Sequence, residues 1–150
     1  MNPLLLSILV GSLTVTSYRS VSDQTDSSPF FTSTGERCCF GGAAISQDLL
    51  CGACRKLHRR CDHPDYTKKL HYGDQLYIKE IGFKVINDCM GKFNTYKVKT
   101  DKGYKRLFKK QLRGLDIWVS RKEDEKAFHK KYGIRKHEVW LVKSKEKLND

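Results

Sequence analysis

The chain has 150 residues, of which 29 are Lys or Arg and 17 Asp or Glu, for a formal charge of +12 at pH 7. That length fits one domain of ordinary size and gives no room to argue for two. The charge is regional: from Lys97 onward there are 18 Lys and Arg against 8 Asp and Glu, a positive surface that attracts polyanions or keeps the protein in solution.

The first seventeen residues, MNPLLLSILVGSLTVTS, carry no charge and pass from an apolar run into small hydroxyl residues. This is the pattern of a secretory signal, and residues 1–19 are read as one, with cleavage between Ser17 and Ser20. The apolar core from Pro3 to Val15 is shorter than the roughly 20 residues of a spanning helix, so no stable membrane span is expected. Residues 20–36 are rich in Ser, Thr and Asp, the composition of a flexible linker, which places the folded domain at 37–150. A secreted, periplasmic or envelope location follows from the leader.

Six cysteines, at Cys38, Cys39, Cys51, Cys54, Cys61 and Cys89, suit disulfides in an exported protein, in pairs that sequence does not choose. Zinc is the alternative: Cys51, Cys54, Cys61 and His63 form C-x2-C-x6-C-x-H, four donors in one loop. The leader favours disulfides, so neither a metal nor a cofactor is expected. Ala43–Leu50 is a short apolar segment with Asp48 inside it. The loop from Cys51 to Leu70 reads as irregular, with Pro64 breaking any helix.

DQLYIKEI alternates in the manner of a strand, and FKVIND after Gly82 is its successor. TYKVKTDKGYKRLF alternates on both sides of TDKG, a turn sequence, and predicts a β-hairpin. In LDIWVS the residues Leu115, Ile117 and Val119 share one face, with Asp116, Trp118 and Ser120 on the other. Ser120 and Glu123 form an S-x-x-E capping box for a helix running to about Tyr132, where Gly133 stops it. HEVWLVK closes the domain as a strand. Short strands with one clear helix indicate a small, mainly β barrel.

Asp88 ends one strand and Asp116 lies within another, and a carboxylate in a β core is costly unless it is paired, hydrogen-bonded or used. Solvent-exposed strand-end acids are the plain reading. Paired carboxylates are also the usual equipment of glycosidic chemistry, where low polarity or a second carboxylate keeps one acid protonated near neutral pH.

The run YGDQLYI, GFKVINDCM, LDIWVS and the closing VWLV resembles the 3D domain, named for three aspartates. That domain is similar to the catalytic barrel of the membrane-bound lytic transglycosylase A family and to the barrel of expansins. The resemblance spans about Ala43 to Val142. It implies a six-stranded double-psi β-barrel, here with one peripheral helix, an inserted hairpin at Thr95–Phe108 and the cysteine-rich loop. It also implies that Asp48, Asp88 and Asp116 line one groove, with Asp116 as acid and then base in cleaving peptidoglycan to a 1,6-anhydro product. Asp88 would tune it and hold the sugar. Cys89 departs from the family pattern, which has Thr after the second aspartate.

Trp118 shares the Asp116 face and is a candidate for stacking on a sugar, although such residues more often lie in cores. Lys110 and Arg113 precede Asp116 closely enough to steer an anionic glycan, or simply belong to a solvated loop. Peptidoglycan or another polysaccharide is the expected partner of a monomer, and nucleic acid is not. A non-catalytic polysaccharide-binding barrel and a basic module that binds a polyanion or a protein are the alternatives.

Overall fold

Leu13 and Val15 alternate with Thr14 and Thr16, a period of two that buries one face of an extended chain. In the computed structural model, which describes residues 7–19, 32, 34–35, 41–61 and 70–142, this stretch is strand β1 (Ser7–Tyr18), with Leu13 and Val15 fully buried and Tyr18 nearly so. It is followed by β2 (Gly42–Ile45), α1 (Gly52–Leu57), β3 (Gln75–Ile78), β4 (Gly82–Cys89), β5 (Phe93–Thr100), β6 (Gly103–Lys110), β7 (Gly114–Trp118), α2 (Lys122–Tyr132) and β8 (Arg135–Val142).

Six strands close into a barrel in the order β1-β7-β2-β4-β3-β8. Two pairs, β1 with β7 and β2 with β4, are parallel, and the other four are antiparallel. Closure removes the free edges that an open sheet of this size would expose. The mainly β, six-stranded barrel read from the sequence is therefore the observed fold. Its interior holds Leu13, Val15, Ala43, Ile45, Leu76, Ile78, Ile86, Leu115, Ile117 and Val139, all at 2 % exposure or less.

Residues 7–18, which read as part of a leader, form a barrel strand flanked on both sides, by β7 and by β8. Within the described part of that apolar run, Leu13 and Val15 are buried while Ile8 and Leu9 are half exposed, and cleavage between Ser17 and Ser20 would take β1 out of the barrel. Of the residues 20–36 that read as a linker, Thr32 is buried, and Thr34 Oγ1 donates to the Asn87 carbonyl of β4 at 3.2 Å.

The hairpin forms as expected, with β5 and β6 paired in register around Asp101-Lys102 and with Gly103 at φ +112°, a conformation that L side chains rarely adopt. It is a separate two-stranded sheet, exposed along nearly its whole length. Helix α2 starts one residue later than the S-x-x-E pattern implies. The Asp124 carboxylate accepts the backbone N–H of Arg121 at 3.2 Å, and the Arg121 guanidinium closes on the same carboxylate. The loop after Cys51 also departs from the irregular expectation: Gly52–Leu57 is a short helix, ended by His58 in the left-handed region. His63 and Pro64 lie outside the described residues. Among the described residues no helix is long and apolar enough to cross a membrane.

Candidate functional site

Because Val15, Leu115, Ile117, Ala43 and Ile45 fill the interior, their neighbours in sequence face the other side of the sheet. The register then aligns one row across four strands: Thr16 is opposite Asp116, Asp116 opposite Ala44, and Ala44 opposite Asp88. Ala44, with only a methyl group, separates the two acids without covering them. Asp88 joins the row through a bulge. Ala43 pairs with Ile86 and Ala44 with Asp88, so Asn87 is the extra residue. The bulge requires close backbone approach at Gly42, where a Cβ would lie 2.6 Å from the Asn87 side-chain amide nitrogen.

Both acids are tied to β1. Thr16 Oγ1 donates to Asp116 Oδ1 at 2.6 Å, and the Tyr18 hydroxyl donates to Asp88 Oδ2 at 3.3 Å. The Asp116 carboxyl is pushed up to about 6, chiefly because burial strips water from its charged form. The Glu125 and Asp88 carboxylates reinforce that rise, while the Thr16 hydrogen bond and His129 oppose it. The α2 residues that act on Asp116 are anchored to β1 and its end as well, His129 Nε2 lying 3.1 Å from Ser17 Oγ and Glu125 forming an ion pair with Arg19.

Of the residues singled out in the sequence, Asp88, Asp116 and Trp118 come together. Trp118 follows Asp116 by two positions on the same face and is paired in register with Tyr18; it is partly exposed. Asp48 is not in the row. It lies beyond the end of β2, and its carboxylate accepts the backbone N–H of Arg113 at 3.0 and 3.2 Å. This contact holds Arg113 at φ +46°, at the entry to β7, three residues from Asp116 and so about 10 Å along the strand. Asp48 thus sets the strand entry. Lys110 is exposed at the end of β6, opposite Phe93 in the hairpin.

The cysteines form a second cluster. Among the described residues no disulfide is formed: Cys51, Cys54, Cys61 and Cys89 all remain thiols, three of them buried. This overturns the expected framework at those four positions, while Cys38 and Cys39 lie outside the described residues. Burial, then the neighbouring Cys51 and Cys54 thiols, pushes Cys61 up to about 11. Burial, then the Asp88 charge, does the same for Cys89. The cluster reaches the acid row through α1: Arg55 donates to Gln47 Oε1 at 3.3 Å, and Gln47 Nε2 donates to the Met90 carbonyl at 3.2 Å, just beyond β4.

Sequence reading misses Thr16, Tyr18, Glu125 and His129. The first two are hidden by the leader assignment, although the Leu13–Thr16 alternation is the available signal. The α2 pair gives none, because helix-face charges are usually solvated. Compared with known protein families, curated proteins and solved structures, the chain matches none.

Proposed function

We propose that the barrel acts on glycan strands of the cell wall, cleaving a β-1,4 glycosidic bond with Asp116 as the single acid and base. The observation that carries this reading is the Asp116 carboxyl, shifted to about 6 within a row that holds a second carboxylate, Asp88. A carboxyl with that pKa keeps a protonated fraction near neutral pH and can still serve as a base after giving up its proton.

In the reaction, Asp116 gives its proton to the leaving glycosidic oxygen as the bond from that oxygen to the anomeric carbon breaks. The sugar's own 6-hydroxyl oxygen then bonds to the anomeric carbon, and its proton returns to Asp116. No water is consumed, the product is a 1,6-anhydro sugar, and the enzyme ends in its starting protonation state. Thr16 holds the carboxylate oxygen through the basic stage. Asp88, fixed by Tyr18, provides negative charge beside the developing oxocarbenium and an acceptor for sugar hydroxyls. Trp118 offers a ring next to the acid for stacking.

The reading rests on the acid row and on the resemblance to 3D domains in the VIND and LDIWV segments. Its test is digestion of purified peptidoglycan by the full chain and by Asp116→Asn, with soluble products read by mass spectrometry. Anhydro-muropeptides from the wild type alone are the expected result.

A second reading is favoured by one feature, the β5–β6 hairpin. It exposes Lys97, Lys99, Lys105, Arg106, Lys109 and Lys110 together with Phe93, Tyr96, Tyr104 and Phe108. A non-catalytic barrel that holds an anionic polysaccharide would use this surface, and its affinity would fall steeply with salt. Sacculus binding by both proteins without soluble product would favour that reading over cleavage.

A further inference from the structure

The Sγ atoms of Cys51, Cys54 and Cys61 and a ring nitrogen of His71 all lie within 4.8 Å of one another. More than one segment of the chain is needed to assemble them. Cys51 directly precedes α1 and Cys54 lies in its first turn, so two thiols converge from a C-x2-C step. Cys61 joins them, its backbone N–H donating to Cys54 Sγ at 3.3 Å. His71 comes from a different part of the chain. The bridge between Leu50 and Leu70 aligns the two segments, with the Cys51 N–H donating to the Leu70 carbonyl at 2.7 Å and the Leu70 N–H to the Leu49 carbonyl at 2.8 Å.

From these positions we propose that Cys51, Cys54, Cys61 and His71 form a structural zinc site. Zinc bonded to sulfur at about 2.3 Å and to nitrogen at about 2.0 Å in a tetrahedron needs donor separations of roughly 3.3–3.8 Å. The Cys51 and Cys61 sulfurs are 3.6 Å apart, which fits that requirement and is well beyond the roughly 2.05 Å of a disulfide. The donor types select the ion. Calcium and magnesium take oxygen ligands, whereas three sulfurs and an imidazole match a soft, tetrahedral metal. The site is closed: all three cysteines are at 6 % exposure or less, and four protein donors leave no position for substrate, so its role is structural.

The surroundings have the features of an outer shell. The His71 backbone N–H donates to Asp74 Oδ2 at 2.8 Å, Asp74 is paired with Arg60 at 2.7 Å, and Arg60 also donates to the Tyr72 carbonyl at 3.0 Å. This buried acid therefore fixes the backbone of the fourth donor and the residue before the third. A zinc ion held by three thiolates and one imidazole carries a net negative charge, and Arg55, Lys56, Arg59 and Arg60 lie within the same short segment. The C-x2-C-x6-C spacing identifies three of the donors in the sequence. Among the described residues the fourth is His71, brought in by the Leu50–Leu70 bridge; His63, which the spacing suggests, lies outside them.

The test is made on the full chain, expressed in zinc-supplemented medium and purified with a phosphine reductant and no chelator. About one zinc per chain is expected, falling to a small fraction in Cys54→Ser. Folding failure in that variant is bypassed by exchanging cobalt(II) into the wild type and into His71→Cys. Wild type should show tetrahedral cobalt bands with charge transfer from three thiolates, and His71→Cys should keep the metal while that charge transfer rises by about a third. Cys89→Ser and His63→Ala should leave both spectra and stoichiometry unchanged. Wild-type protein without bound zinc, or a cobalt spectrum that responds to His63→Ala and not to His71→Cys, overturns the assignment.

Discussion

Thr16 Oγ1 donates a 2.6 Å hydrogen bond to Asp116 Oδ1 across the parallel β1–β7 pair, and the two residues are 100 positions apart in sequence. Parallel pairing requires a long crossover, so the acid and its donor meet only when the barrel closes. Stability and pH response are coupled through this contact.

The raised Asp116 value has a sign for stability. The folded protein holds this proton more tightly than the unfolded chain does, taking the carboxyl from 3.8 to about 6. The associated stabilisation is complete below the unfolded value and is lost as pH rises through about 6, so the ionised form costs about 3 kcal/mol at most at pH 7.5. Asp116→Asn does not titrate, and its Oδ1 can still accept from Thr16. The variant is therefore expected to gain about 2–3 kcal/mol on the wild type between pH 4 and pH 7.5, as read by denaturant unfolding at both pH values. A difference that does not change with pH would place the carboxyl in the ordinary carboxylate range.

Thr16→Val removes a hydrogen bond that favours the charged form and leaves the shape nearly intact. The Asp116 value should then rise further, and the alkaline limb of the proposed glycan cleavage should move to higher pH, whereas Thr16→Ser retains the donor and the wild-type limb. A limb at the same pH in wild type and Thr16→Val would mean that another group controls the acid.

Strand β1 also shows how much of the molecule is legible in its residues. The strands from Gln75 onward, the hairpin turn at Gly103 and the stop at Gly133 follow from period-two alternation and local turn chemistry, because those signals act over a few residues. The two acids can be named from the sequence but not joined: what brings them to one row is the barrel register and the Asn87 bulge, which are long-range. The N-terminal stretch carries two signals at once, since a strand whose apolar residues Leu13 and Val15 alternate with threonine has nearly the composition of a secretory leader. His71 reads in the sequence as a lone, solvated histidine, since donor spacing along the chain does not report a bridge between Leu50 and Leu70.

Removing residues 1–19 should accordingly abolish cooperative unfolding rather than release a mature domain, since it opens the barrel between β7 and β8. A milder probe is Leu13→Ala, in a side chain with no exposed surface, expected to cost about 2–5 kcal/mol. Thermal and denaturant unfolding monitored by circular dichroism would check both. A truncated chain that melts cooperatively at the full-length temperature would show that β1 is dispensable.

The bulge that aims Asp88 depends on the absence of a side chain at Gly42. A Cβ there would lie 2.6 Å from the Asn87 amide nitrogen and 2.9 Å from its oxygen, and Asn87 is only 5 % exposed, so the amide has little space in which to retreat. Gly42→Ala is expected to cost about 1–3 kcal/mol by overpacking and to lower glycan cleavage, because β4 must shift at the residue next to Asp88. The cause can be isolated with a double-mutant cycle. In an Asn87→Ala background the added methyl group meets no amide, and the Gly42→Ala cost should shrink by about 1 kcal/mol or more. The cleavage loss should not be recovered there, since Asn87→Ala itself loosens the bulge. An equal Gly42→Ala cost in both backgrounds would move the constraint from the Asn87 side chain to the β2 backbone.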